Sequence, residues 1–226
     1  MLDRPSGRLR AEQRLRRAIA AGDLAPGHRL VEADLVAMLG VSRGDVRLAM
    51  ATLAADGLVE RIPNRGARVR VVSTEEAIAI TECRMALEGL IARKAAERVS
   101  APQGEALRAH LGRMRRAVEA ADHAAYSALI SDLHRLLREV AEQPVAAGLV
   151  DRLQAQLVRH QFRLSLRPGR PRASLAELGA LVDAVVDGDP DRAEAAAADH
   201  FRSVIALLGA TADGGAVDIP DPRGHT

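Results

Sequence analysis

Apolar residues recur every three to four positions through most of this chain, but between residues 58 and 72 the spacing drops to two. A period near 3.6 places apolar side chains on one face of a helix, and strict alternation places them on one face of a strand. The chain must therefore be helical with one short extended interruption. "LVERI" (58–62) and "ARVRVV" (67–72) alternate, and "PNRG" (63–66) between them supplies turn residues. That pattern predicts a two-stranded hairpin with Arg65 at its tip.

Three helices are predicted before the hairpin, at 8–21, 33–39 and 43–55, ended by Gly22, Gly40 and Asp56-Gly57. In the third, Val46, Ala49, Met50 and Leu53 form the inward face. Ser42 stands where an N-cap is needed, with Asp45 three residues on in the acidic place of a capping box. Arg43 and Arg47 have no apolar role beside this helix start. They are either solvated surface charge or they point at something anionic. Three helices followed by a basic hairpin make a winged helix-turn-helix.

After residue 72 the helical period returns and no strand pattern follows. Six helices are predicted, at 73–99, 102–121, 123–141, 145–167, 172–187 and 190–209. Ser73 and Thr74 ahead of Glu76 open the first. No 20–50-residue period repeats, which excludes a solenoid. The fold class is mainly α: a winged helix-turn-helix over 1–72, then an all-α helical bundle over 73–211. Residues 212–226 are rich in Gly, Pro and Asp, a composition that predicts a disordered tail.

Charge separates the same two regions. Residues 1–72 hold 13 arginines against 8 acids, whereas the rest is net acidic, although the whole chain is only +2. A basic N-terminal unit suggests a polyanion partner. Only three aromatic residues occur, Tyr126, Phe162 and Phe201. Single-strand binders stack bases on aromatic rings, so duplex DNA is the expected polyanion. Guanidinium groups such as those of Arg43 and Arg47 can contact guanine edges or phosphates. Ser42 and Gly44 sit at a helix N-terminus, where backbone N–H groups favour phosphate.

Other classes find little support. No run approaches the roughly 18 apolar residues of a membrane span, and the N-terminus lacks the apolar core of a signal peptide. The single cysteine, Cys83, excludes an internal disulfide; a small buried hydrophobe in a reducing, cytoplasmic setting is its expected role. There is no G-x-S-x-G, Gly-rich phosphate loop or zinc spacing, so no enzyme and no cofactor are expected.

"AIAAGDLAPGHRL", "LVAMLGVSRGDVRLAMATLAADGLVE" and "PNRGARV", in that order, resemble the DNA-binding domain of the GntR family of bacterial transcription regulators. Three departures are visible: Val31 replaces a capping Ser, Gly44-Asp45 a Thr-Pro pair, and Leu48 an acid. "ECRMALEGLIARKAAERVS", "SALISDLHRLLREVAEQP" and "LAELGALVDAVVDGDPDRAEAAAADHF" resemble the helical FCD effector domain of the FadR subfamily, its six helices suiting the shorter VanR-like branch. The resemblance implies a repressor that binds a palindromic operator as a homodimer and responds to a small carboxylate effector. It adds Arg29 as a backbone contact and places Arg65 and Gly66 where the wing meets the minor groove.

In the second domain the resemblance implies a cavity lined by Arg84. Arg84 either binds an effector carboxylate or pairs with Glu88, four residues on. Many such domains hold a metal through an Asp, a His four residues later and two further His. His134 and His200 match the first and last His, but Ile130 and Leu178 occupy the other two positions, so no metal site is expected. His134 and His200 are either hydrogen-bonded groups of the bundle interior or effector contacts.

Overall fold

The computed structural model describes residues 6–62, 66–157, 160, 164 and 167–212. The N-terminal elements are α1 (Gly7–Ala21), β1 (Arg29–Leu30), α2 (Glu32–Leu39), α3 (Arg43–Ala55), β2 (Val59–Ile62) and β3 (Gly66–Val69). The bundle follows as α4 (Thr74–Arg98), α5 (Ala101–Glu119), α6 (His123–Ala141), α7 (Pro144–Gln156), α8 (Arg170–Val186) and α9 (Pro190–Ala212). The mainly α class and the winged helix-turn-helix follow the sequence periodicity.

Local chemistry explains the boundaries. Ser42 and Ser73 accept hydrogen bonds at 3.1 Å from the backbone N–H of Asp45 and Glu76, satisfying donors that a helix start leaves open. Val31 caps α2 with no side-chain bond at all, as its apolar side chain requires. Gly40 ends α2 at φ 63°, a conformation that a Cβ would strain.

The hairpin is part of a three-stranded sheet in the order β1-β3-β2. Leu30 pairs with Ala67 on one side of β3, and Val59 with Val69 on the other, both antiparallel. The two-strand expectation is thus corrected by β1, whose two residues are too few to show an alternation. Leu15, Val46, Leu53, Val59 and Val69 meet beneath this sheet in an apolar core of the winged helix.

In the bundle, α4 is the spine and packs against α6, α7 and α9. Ile91, Leu107, Met114, Leu133, Leu137 and Leu178 are fully or almost fully buried there. Each such side chain contributes roughly 1.5–3 kcal/mol of burial. A smaller cluster of Ala77, Ile80, Leu157, Leu164 and Leu208 lies beside the linker residue Val72.

Two expectations fail. The helix expected over 145–167 is interrupted after Gln156, where Leu157 turns inward onto Ala77 and Ile80, its N–H bonding Gln154 O at 3.0 Å; among the described residues beyond it, His160 and Leu164 are helical again. Tertiary burial breaks a locally helical sequence. Cys83 is exposed, not buried. The inward stripe of α4 runs through Ala77, Ile80, Arg84, Glu88 and Ile91, leaving Cys83 on the outer face. The tail expected to be disordered lies outside the described residues from 213 onward.

Candidate functional site

Two places concentrate unexplained polar groups: the outer face around α3 and a cavity inside the bundle. On the outer face, Arg29, Glu32, Arg47, Met50, Arg61 and Gly66 line one open groove between helix and wing. Three residues named from sequence, Arg29, Arg47 and Gly66, thus share one surface. Arg61 joins them; sequence placed it on the strand without a role. Arg43 is exposed at the start of α3. Arg65 lies outside the described residues.

Arg47 donates from Nε to both carboxylate oxygens of Glu32, at 3.0 and 2.9 Å. Both side chains are well exposed, so the pair is worth at most about 1 kcal/mol. The guanidinium can therefore change partner at little cost. Ser42 and Gly44 are both exposed, but the Ser42 hydroxyl already donates to Asp45 Oδ2 at 2.7 Å. The Asp45 carboxylate is thus held beside Ser42 at the start of α3, leaving Gly44 exposed. Gly44, Arg47, Leu48 and Ala51 form the solvent-facing stripe of α3. Leu48 is 55% exposed there, an unusual place for a large apolar side chain.

The inner cavity, about 90 Å³, lies among α4, α6, α7, α8 and α9. All three residues named from sequence, Arg84, His134 and His200, line it, together with Tyr126, Gln154, Arg170 and Phe201. Of the two alternatives, the structure shows the pair with Glu88, made by an arginine that lines the cavity. Arg84 donates from Nη2 to Glu88 Oε1 at 3.1 Å. Its guanidinium also lies over the Phe201 ring, 5.0 Å from the centroid. His134 Nδ1 stands 3.5 Å from the other Glu88 oxygen, close enough for charge contact but without a hydrogen bond. Burial alone would raise the Glu88 carboxyl, yet His134 and Arg84 hold it at about 2.

A second ion pair closes the far side. Arg170 donates to Glu177 Oε1 at 2.8 Å and to the Ser203 hydroxyl at 3.0 Å. His200 Nδ1 meets the other Glu177 oxygen at 2.7 Å. Burial pushes the His200 imidazole below its usual range, so it is the neutral ring that donates to the carboxylate. Burial likewise works against the Glu177 carboxyl, but the hydrogen bonds from His200 and Arg170 hold it at about 2. Two arginines thus balance two glutamates around the cavity. Arg84 Nε, His134 Nδ1 and Gln154 Oε1 remain buried without a hydrogen-bond partner. Such orphans are costly inside a protein, and a ligand can satisfy them.

The metal that related domains hold does not fit these residues. Ile130 lines the cavity at one ligand position, and Leu178 is fully buried at another. His200 Nδ1 is committed to Glu177, and among the described residues no group of three His, Cys, Asp or Glu could hold an ion. Arg170, Glu177 and Gln154 escaped the sequence reading. Glu177 is adjacent to Leu178, and an acid beside an apolar inward face was the available signal.

Residues 8–69 match the family described as "Bacterial regulatory proteins, gntR family", and residues 79–203 match the FCD domain. The HTH-type transcriptional repressor RspR of Escherichia coli (strain K12) is 28% identical, covering 84% of this chain and 83% of its own. The HTH-type transcriptional repressor NanR of Cronobacter sakazakii (strain ATCC BAA-894) is 29% identical, covering 84% of this chain and 79% of its own. The solved structure of E. coli McbR/YncC matches with a TM-score of 0.79 at 21% identity, over 92% of this chain and 100% of that one. That last likeness is one of fold. No helix among the described residues is long and apolar enough to cross a membrane.

Proposed function

Because the chain belongs to the gntR family of bacterial regulatory proteins and carries an FCD domain, we propose that it is a transcriptional repressor that binds a palindromic operator as a homodimer and responds to a small organic acid. The family is one of DNA-binding transcription regulators, not of enzymes. The observation that carries the ligand reading is the cavity itself. It holds two buried arginines and four polar atoms without hydrogen-bond partners, on Arg84, Tyr126, His134 and Gln154, among apolar side chains such as Ile130, Phe201 and Val204. A carboxylate can accept from the free Nε–H of Arg84, and charge-assisted bonds of this kind are about twice as strong as neutral ones. An engineered cavity of about 150 Å³ binds benzene, so 90 Å³ suits a ligand of two to four carbons.

The DNA-reading residues are Arg29, Ser42, Arg43, Gly44, Arg47, Arg65 and Gly66, with Arg47 able to leave Glu32 for a guanine edge or a phosphate. One helix-turn-helix covers one half-site, so a two-fold dimer would place two α3 helices about one DNA turn apart. Selection of bound duplexes from a random pool, with sedimentation of the complex, tests this reading. A palindrome bound by a dimer is expected. A single asymmetric half-site bound by a monomer would break the dimer reading, and no selected duplex would break the whole.

A further inference from the structure

The last turn of α7 lies between the cavity and the C-terminal end of α3. Gln154 lines the cavity, and its side-chain carbonyl oxygen is buried without a partner. Ala155, next in the chain, packs against the apolar core of the winged helix. Gln156 then accepts from Arg70 Nη1 at 2.8 Å. Its amide also fills the space beside Gly57, where a Cβ would meet it at 2.9 Å. Arg152, one turn earlier, reaches Asp56 at 3.9 Å. Asp56 and Gly57 form the turn that ends α3, and Gly57 holds a φ of 72°. Three consecutive residues of one helical turn thus face the cavity, the winged-helix core and the end of the recognition helix.

We propose that Gln154 is an effector contact and that the turn carrying it couples the cavity to α3. The proposal deepens the repressor reading and rests on it. A buried acceptor left unpaired costs about 1–3 kcal/mol, and a donor entering the cavity lifts that penalty. The effector therefore carries an O–H or N–H donor in addition to a carboxylate. The carboxylate goes to Arg84 Nε–H, and the donor goes to Gln154 Oε1. Backbone hydrogen bonds make the turn move as a unit, so a ligand that draws Gln154 inward also shifts Gln156 against Gly57. Coupling of this kind is reciprocal: the ligand changes duplex affinity by the factor by which duplex changes ligand affinity.

Matched ligand pairs test the contact: acetate against glycolate, and propionate against L-lactate, measured by thermal shift on the full chain. The donor-bearing member of a pair raises the melting temperature more, and Gln154→Leu or Gln154→Met removes that difference while the chain still melts cooperatively. No preference within either pair, or a preference surviving both variants, overturns the contact. The coupling is tested with a duplex selected by the wild type. Its affinity changes at least about fivefold with the preferred ligand, and Gln156→Ala abolishes that change while keeping ligand affinity within about twofold. A Gln156→Ala chain that keeps the full response overturns the coupling. Failure to select any duplex breaks the repressor reading alone, because the ligand pairs still decide the role of Gln154.

Discussion

Arg47 and Arg84 each hold a glutamate, and the difference between the two pairs separates the two ends of the molecule. The Arg47–Glu32 side chains are 64% and 43% exposed, whereas those of Arg84 and Glu88 are 4% and 3% exposed. In water the first pair is nearly free to open, so Arg47 can exchange Glu32 for another anion without disturbing the fold. The second cannot open without leaving a charge buried. Exposure leaves one arginine free to change partner. Burial makes the other a fixed part of a preformed cavity.

The largest expected effect breaks the buried pair. Glu88→Gln leaves Arg84 and His134 without their carboxylate, and removing one partner of a buried pair costs about 3–5 kcal/mol. At this chain length that corresponds to a fall in melting temperature of roughly 10 °C. Arg47→Ala should leave the melting temperature unchanged, within about 0.5 kcal/mol. Equal melting of the two variants would erase the distinction.

Acid should sharpen the same comparison. Glu88 and Glu177 sit at about 2 in the folded chain against 4.5 when free, and His200 sits below its free value of 6.5. In each case the unfolded chain binds more protons, so stability falls as pH falls. The decline begins below 6.5 with His200 and steepens from 4.5 toward 2 with the two glutamates. His200→Gln should remove the first part and spare the second. A melting temperature flat between about pH 7 and 5 would show that burial does not hold His200 neutral.

Next in size is Arg47→Ala on the exposed side. Loss of a bidentate base contact costs about 1–3 kcal/mol, or roughly 5- to 150-fold in affinity for a selected duplex. Binding to random duplex should weaken much less, as measured by fluorescence anisotropy at fixed salt. Equal losses on both duplexes would make Arg47 a phosphate contact.

The winged helix was readable because its signals are short-range. The cap at Ser42, stops at Gly22 and Gly40, and the alternation of the wing each need only a few neighbours. The missing strand β1 has two residues, too few to carry a period. The cavity was only half readable. Arg84, His134 and His200 carry a family pattern, but Arg170 and Gln154 come from a break and a helix end that sequence could not fold together. The inward turn at Leu157 depends on Ala77 and Ile80, 80 and 77 residues earlier in the chain. The side chains that meet across such a distance are set by packing, and local sequence does not report it.

The smallest expected effect concerns Leu48 on the exposed face. A large apolar side chain stands 55% exposed on the solvent-facing stripe of α3, next to Arg47 and in line with Ala51. An acid at that position would repel phosphate and accept from cytosine, whereas Leu48 can do neither; the apolar group it can meet in the major groove is the thymine methyl. Burying one methyl-sized group is worth about 0.8 kcal/mol, close to fourfold in affinity. Replacing thymine by deoxyuridine removes that methyl and leaves every hydrogen-bonding group of the base in place. One such replacement within the selected half-site should therefore weaken the wild type about fourfold and leave Leu48→Ala unaffected. A deoxyuridine scan without effect at every position would show that Leu48 faces solvent in the complex, and that arginines alone read the site.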